Sequence, residues 1–260
     1  MAKNITTAMC KTLKKLIFNK LILAKLLQNL WQPNYKKDTT MKLSQIVATV
    51  SLVIASGCFV NAYAAEHGSI DKVLGSASVG TNEHYDDISL VNGSVKMASN
   101  SSAKSVSTVN GSIELRDNVK LHSASTVNGS IESGSGLQVA DELSTVNGKI
   151  LAGSNAIIGG NVTTVNGDIV LDNSNANRDV TTVNGDIKLT GNTVVKGDVV
   201  YKPRGKKKAF FGWNNDNKPT LYIGADVVVE GNIILQQEVE LQIENPAMQA
   251  KVVTQINDGR

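Results

Sequence analysis

The chain of 260 residues contains little cysteine, proline or aromatic sequence. Its two cysteines are Cys10 and Cys58, so residues 65–260 cannot form an internal disulfide or a thiolate metal site. Between Ile88 and Val200 there is no proline and no aromatic residue. Any core built from that stretch is therefore narrow and made of aliphatic side chains.

Positive charge is confined to the beginning of the chain. The formal net charge is +3, but residues 1–64 alone hold nine lysines and one aspartate, a net of +8. Residues 65–260 carry a net charge of −5. The overall charge is therefore no argument for nucleic acid binding, because the larger part of the chain is mildly acidic.

One phrase, Thr-Val-Asn-Gly, recurs six times between residues 90 and 187, with Leu90 replacing the first threonine. Its glycines are 18, 18, 19, 19 and 18 residues apart. Helical-pair repeats need about thirty residues or more, so this period excludes them. Val, Ile and Thr at the fixed positions favour strands. The six Asn-Gly pairs are predicted to form a structural turn ladder: Asn92-Gly93, Asn110-Gly111, Asn128-Gly129, Asn147-Gly148, Asn166-Gly167 and Asn184-Gly185.

The fixed spacing predicts an all-β fold, a single-stranded parallel β-helix (solenoid) with coils of 18–19 residues. Successive coils would lie about 4.8 Å apart, so equivalent residues would stack. Aliphatic residues two after and five before each glycine are predicted to face inward. Asn side chains would bond along the stack. Asn-Gly would form the turn because both residues tolerate positive φ. Whether Thr or Val of the phrase faces inward stays open, and a bulge is expected between the apolar positions and the phrase.

Residues 41–64 have the three regions of a secretory signal peptide. Met41-Lys42 opens an apolar run that ends at the cleavage pattern Ala62-Tyr63-Ala64. The run is too short for a convincing membrane span, so the processed protein is predicted to lack one. We predict export to the periplasm or cell surface.

Two features of this region leave alternatives open. Residues 1–40 precede a complete signal, which favours Met41 as the start, with an extended signal region as the alternative. Ala55-Ser56-Gly57-Cys58 resembles a lipoprotein box, so anchoring through a lipidated Cys58 is the alternative to cleavage before Ala65.

The rest of the chain is divided by how closely it follows the phrase. We predict an N-terminal cap at 65–87, solenoid repeats at 88–201, a basic aromatic loop at 202–220, closing coils at 221–245 and a polar tail at 246–260.

The phrase Thr-Val-Asn-Gly-Asp-Ile-x-Leu at 164–171 and 182–189 resembles the bacterial β-strand-repeat proteins described as adhesins. The resemblance covers residues 88–243. It implies an exported, right-handed β-solenoid of the cell envelope without enzymatic activity, and it supplies no catalytic residues.

The loop at 202–220 departs most from the composition of its surroundings. Its cations and aromatic residues are Lys202, Arg204, Lys206, Lys207, Lys208, Phe210, Phe211 and Trp213. Such a mixture suits anionic lipid or polysaccharide. Nucleic acid binding also uses it, but predicted export argues against that partner. The alternative is a solvated loop whose aromatic side chains pack against the solenoid.

Asp168 and Asp186 are the strongest candidates for chemistry. Stacked coils would bring them to about 5 Å, a separation used by retaining glycosidases and compatible with a shared calcium ion. The alternative is two hydrated carboxylates beside Lys149. The Ser-Thr and Thr-Thr pairs before each Val could form a hydroxyl face for ice or glycans, or simply be strand formers. The three histidines, His67, His84 and His122, share no spacing typical of a metal site.

Taken together, these patterns predict a non-catalytic, exported envelope solenoid for adhesion, scaffolding or self-association, with no cofactor. Envelope polysaccharide, anionic lipid or a second copy are the expected partners. The alternative is a polysaccharide-binding or polysaccharide-degrading enzyme on the same fold.

Overall fold

The computed structural model describes residues 68–204 and 218–256, which form a parallel β-solenoid. The predicted signal region, with Cys58, and the loop residues 205–217 lie outside the described residues. Every strand pairs in parallel with its equivalent in the neighbouring coil; Ile150, for example, pairs with both Ile131 and Ile169. The predicted fold class is confirmed.

Each complete coil has three faces. The early coils cover the first two with single strands: β1 (Ile70–Leu74), β3 (His84–Asn92), β5 (Ser102–Asn110) and β7 (Lys120–Asn128). The third face holds β2 (Ala77–Val79), β4 (Val95–Met97), β6 (Ile113–Leu115), β8 (Ile131–Ser133), β11 (Ile150–Ala152), β14 (Ile169–Asp172), β17 (Ile187–Thr190), β20 (Thr220–Ile223) and β23 (Glu240–Ile243).

Beyond β7 the long strand divides into two short ones. The first face continues with β9 (Gln138–Val139), β12 (Ile157–Ile158), β15 (Asn175–Ala176), β18 (Val194–Val195) and β21 (Val228–Val229). The second face continues with β10 (Leu143–Asn147), β13 (Val162–Thr163), β16 (Val180–Thr182), β19 (Val199–Tyr201), β22 (Ile233–Leu235) and β24 (Val252–Thr254).

The change from 18-residue to 19-residue coils occurs where the strand divides. Leu121 pairs with Val139, 18 residues later, whereas Ala124 pairs with Leu143, 19 residues later. The additional residue lies between these two pairs. It turns a continuous strand into a corner between the first and second faces.

The predicted aliphatic columns form the core. The residues two after each glycine are at most 1% exposed: Val95, Ile113, Ile131, Ile150, Ile169 and Ile187. The residues five before each glycine are equally buried: Ile88, Val106, Ala124, Leu143, Val162 and Val180. Burying each large aliphatic side chain contributes about 1.5–3 kcal/mol before opposing terms. No single coil could exclude water from these side chains, so the coils fold as a stack.

Threonine, and not valine, is the inward residue of the phrase. Thr108, Thr126, Thr145, Thr164 and Thr182 are all buried. Each hydroxyl donates to the carbonyl of the glycine one coil earlier, as Thr108 does to Gly93 at 2.9 Å. Because Thr108 lies two residues after Val106, both point inward from one uninterrupted strand, β5. The bulge expected in this stretch is therefore absent from β5.

The glycines of the phrase are required for close packing, not for positive φ. A Cβ on Gly111 would lie 2.0 Å from the Gly93 carbonyl oxygen, where no side chain fits. None of the six Asn-Gly pairs has positive φ, which corrects that part of the prediction. The left-handed residues lie instead between the third and first faces: Asn82, Asn100, Asn118, Gly136, Asn155, Asn173 and Gly191.

The coil pattern extends beyond both predicted boundaries. Ile70 pairs with Ile88 and Ala77 with Val95, so the described part of the predicted cap is itself a coil in register. At the other end, helix α1 (Pro246–Gln249) leads into β24, which pairs with β22. The prediction of a polar tail from residue 246 is thus wrong for residues 246–254.

The C-terminal elements cover one exposed strand edge. Met248 is buried, and its sulfur accepts the Val229 N–H at 3.2 Å. The Lys251 ammonium donates to the Val229 and Glu230 carbonyls at 2.6 and 2.8 Å. The described part of the chain contains no helix with the length and apolar character that a membrane crossing requires.

Candidate functional site

The basic loop is inserted at one defined position of the coil. Strand β19 ends at Tyr201 on the second face and β20 begins at Thr220 on the third, in register with Ile187–Leu189. Between these two faces the earlier coils carry an Asn-Gly pair, a turn that we call the Asn corner. At the insertion corner, residues 202–219 replace that pair. The prediction that the solenoid resumes after the loop is confirmed.

Two of the eight predicted contact residues are described, and both are exposed where the chain leaves the solenoid: Lys202 and Arg204. The other six, Lys206, Lys207, Lys208, Phe210, Phe211 and Trp213, lie outside the described residues. Lys218, where the chain returns, is also exposed and forms an ion pair with Glu238 at 3.0 Å.

Tyr201 closes the core beneath the insertion. It pairs with Thr182 and so takes the place of the inward threonine, and its side chain is fully buried. Its hydroxyl donates to the Thr220 carbonyl at 2.8 Å and accepts the Ile187 N–H at 3.0 Å. Burial raises the pKa of Tyr201 far above its ordinary value, so the hydroxyl stays protonated and remains a donor.

Gln237 fixes the chain where it leaves the solenoid. Its buried side-chain amide donates to the Lys202 carbonyl at 3.0 Å and also to the Val183 carbonyl. The exit is therefore bonded to coils on both sides. The sequence analysis assigned no role to Tyr201 or Gln237, because their partners lie 14 to 54 residues away.

A groove of about 570 Å³ opens between the two ends of the insertion. It is lined by two cations, two carboxylates and uncharged polar groups, chiefly Asn184, Asp186, Arg204, Lys218, Thr220 and Glu240. Asp186 Oδ1 accepts the Thr220 N–H at 2.7 Å and so holds the returning strand. The groove lies on the corner of a body that is otherwise acidic.

The predicted pair Asp168 and Asp186 serves the backbone. Asp168 Oδ1 accepts the Asp186 N–H at 3.0 Å, as Asp186 does for Thr220. Earlier coils use serine in the same way: Ser94 Oγ accepts the Ser112 N–H at 3.2 Å. These residues thus form an acceptor column linking successive coils. In the described residues, no group of three or more metal-ligating side chains is assembled.

The predicted hydroxyl face is reduced to one column, because the phrase threonines point inward. Its members pair in register on the outside of the second face: Ser89, Ser107, Ser125, Ser144, Thr163 and Thr181. The valines of the phrase alternate with the inward threonines, so they form a second outer column beside the hydroxyls.

The histidines do not converge. His84 Nδ1 lies 2.6 Å from the Ser102 hydroxyl, His122 is exposed, and His67 lies outside the described residues. Asp172 on the third face is more elaborately bonded than either histidine. It accepts from the Thr190 hydroxyl at 2.7 Å, the Ser154 hydroxyl at 2.9 Å and the Asn173 amide at 3.1 Å. These hydrogen bonds, led by that from Thr190, lower the pKa of Asp172.

The predicted Asn ladder is confirmed over all six corners. Each Nδ2 donates to the Oδ1 of the previous coil, at 2.8–2.9 Å, in the series Asn92, Asn110, Asn128, Asn147, Asn166 and Asn184. All donors therefore point in the same direction along the stack. The ladder ends at Asn184, in the groove, because the insertion replaces the next Asn-Gly pair.

We compared the chain with known proteins once this geometry was established. No family model, no curated protein and no solved structure matches it.

Proposed function

We propose that this protein is an exported, non-catalytic component of the cell envelope. Its solenoid is a rigid support, and the insertion corner is its contact surface for an anionic polymer or lipid, such as envelope polysaccharide. The observation that carries the proposal is the placement of exposed Lys202, Arg204 and Lys218 at a single corner of an acidic body.

The bonding around that corner supports a contact role. Tyr201, Gln237 and Asp186 hold the two ends of the insertion on neighbouring coils. Cations presented from a fixed base lose less conformational freedom on binding than cations on a free chain. The sequence of 205–217 adds three lysines, two phenylalanines and a tryptophan between these ends.

The bonding of the carboxylates favours this proposal over the polysaccharide-degrading enzyme. A retaining glycosidase needs one carboxyl as an acid and the other as a nucleophile. Asp168 and Asp186 each accept a main-chain N–H from the next coil instead. They have the same role as the serines of the preceding coils, where no acid pair could exist.

Binding to anionic vesicles and to lipopolysaccharide tests the contact surface. Replacing Arg204 to Lys218 with a short Gly-Ser bridge should abolish salt-sensitive binding and leave the melting temperature nearly unchanged. The matched control is a chain in which Lys120, Arg178 and Lys196, exposed elsewhere, are changed to Gln. Binding that survives the deletion, or is lost equally in the control, would contradict the proposal.

Localisation is tested separately by fractionation and N-terminal sequencing of the processed protein. A mature chain beginning at Ala65 is expected in the exported fraction. A lipidated Cys58 at the terminus would instead make the protein membrane-anchored, and recovery of an unprocessed chain from the cytoplasm would overturn export.

A further inference from the structure

Asn-Gly pairs undergo a self-contained reaction that the fold must either prevent or allow. The glycine nitrogen attacks the asparagine carboxamide carbon, and ammonia leaves as a cyclic imide forms. Water then opens the imide to aspartate or isoaspartate, so that one amide nitrogen is exchanged for one oxygen. Glycine favours the attack because it has no side chain to obstruct it. The glycine N–H must lose its proton, and the carboxamide must rotate toward it.

In five of the six pairs both reacting groups are held in hydrogen bonds. The N–H groups of Gly93, Gly111, Gly129, Gly148 and Gly167 donate to the asparagine carbonyl of the next coil at 3.0–3.1 Å. The Oδ1 of the asparagine in each of these pairs also accepts the amide of the next asparagine. Attack at these sites therefore requires at least two hydrogen bonds to be broken first.

The sixth pair, Asn184-Gly185, lacks both restraints. Within residues 68–204 and 218–256, the Gly185 N–H donates no hydrogen bond and Asn184 Oδ1 accepts none. The cause is the insertion, which replaces the corner that would supply the next asparagine. Both residues line the open groove, where water has access.

From this difference we propose that Asn184 is a site of spontaneous deamidation, while the other five Asn-Gly pairs are protected by the coil above them. The product places an additional carboxylate in the groove that Arg204 and Lys218 line. It also removes the amide that donates to Asn166 Oδ1. The modification would therefore lower the positive charge of the contact surface as the protein ages.

The chain contains its own matched control. Residues 163–169 and 181–187 are both Thr-Thr-Val-Asn-Gly-Asp-Ile. Asn166 and Asn184 thus have identical neighbours for three residues on either side. A difference in their rates of deamidation must arise from the fold and not from local sequence.

The test is to incubate the purified, folded full chain in mildly alkaline buffer and to measure deamidation at each site by peptide mass spectrometry. Asn184 should react about tenfold or more faster than Asn166, because reaction at Asn166 must first break two additional hydrogen bonds. In concentrated urea the two rates should become equal. Equal rates in the folded protein, a faster Asn166, or a difference that persists in urea would each overturn the proposal.

A second variant tests the cause. Replacing residues 201–220 with Thr-Val-Asn-Gly-Asp restores a regular corner and gives the ladder a seventh asparagine. Deamidation at Asn184 should then slow to the rate of Asn166, provided that circular dichroism shows a folded solenoid. An unchanged rate in the folded variant would refute the open corner as the cause. If the variant does not fold, the comparison of Asn166 with Asn184 still decides the proposal.

Discussion

The Tyr201 hydroxyl accepts the Ile187 N–H, a donor that is bonded to a main-chain carbonyl in other coils. Ile169, its equivalent one coil earlier, donates to the Asp186 carbonyl at 2.8 Å. At the insertion corner the main chain is diverted into the loop. A side chain from the second face crosses the core to replace the missing acceptor, and one tyrosine thereby makes the long insertion compatible with a continuous stack.

Tyr201→Phe should destabilise the solenoid by about 2–4 kcal/mol, because it leaves the Ile187 N–H and the Thr220 carbonyl without their partner. Urea unfolding followed by circular dichroism measures the change. Tyr222→Phe is the control, since the exposed Tyr222 hydroxyl bonds only to the Glu244 side chain. Equal losses in the two variants would show that Tyr201 contributes through packing alone.

Ile150→Asp should abolish the cooperative unfolding transition, because the new charge would enter a fully buried column without a partner. Glu132→Asp, at an outward position of the neighbouring coil, should be nearly silent. Melting temperatures of both variants provide the measurement. Similar shifts would contradict the inward and outward assignment of the third face.

Gly111→Ala should cost several kcal/mol or prevent folding, because its Cβ would lie 2.0 Å from the Gly93 carbonyl oxygen, which cannot move independently. Gly136→Asn should cost little, although Gly136 has a φ of 72°, because asparagine occupies the equivalent turn in neighbouring coils. Thermal unfolding of the two variants distinguishes the two roles of glycine. A larger loss at Gly136 would reverse the assignment.

Asp172→Asn should weaken the dependence of stability on acid pH. The hydrogen bonds from Thr190, Ser154 and Asn173 lower the pKa of Asp172 in the folded state below its ordinary value of 3.8. The stability they supply is therefore present above the unfolded pKa and lost as the pH falls through the folded pKa. Unfolding measured between neutral and strongly acid pH tests this expectation. Asp226→Asn, at an exposed aspartate, should leave the acid slope unchanged.

Much of the fold could be predicted because the same physical requirement recurs in every coil. Ile150 and its column must be apolar, and Asn147 and its column must carry an amide, so period and residue type together identify both. The choice between Thr145 and Val146 as the inward residue could not be predicted. Both are β-branched, and alternation along a strand fits either one. The buried threonine is explained only by the glycine carbonyl that it contacts in the previous coil.

Features without a repeated phrase could not be predicted in the same way. The left-handed turn uses Asn118 in one coil and Gly136 in the next, so no fixed residue marks it. The closing strand β24 was assigned to a polar tail, because its valines follow a short helix and lack an Asn-Gly pair. At the candidate site, the sequence identified the cations but not Tyr201, whose role depends on contacts with the following coil.

The inter-coil ladders make the length of this protein adjustable. Asn128 bonds to Asn110 and to Asn147 through the same pair of amide atoms, so either neighbour could be exchanged for the other. Duplication or loss of one coil within the gene would therefore preserve every column and alter the stack by about 4.8 Å. The insertion corner would be carried nearer to or farther from the N-terminal end in equal steps. Reach can thus change by recombination between repeats, without any new residue having to be selected.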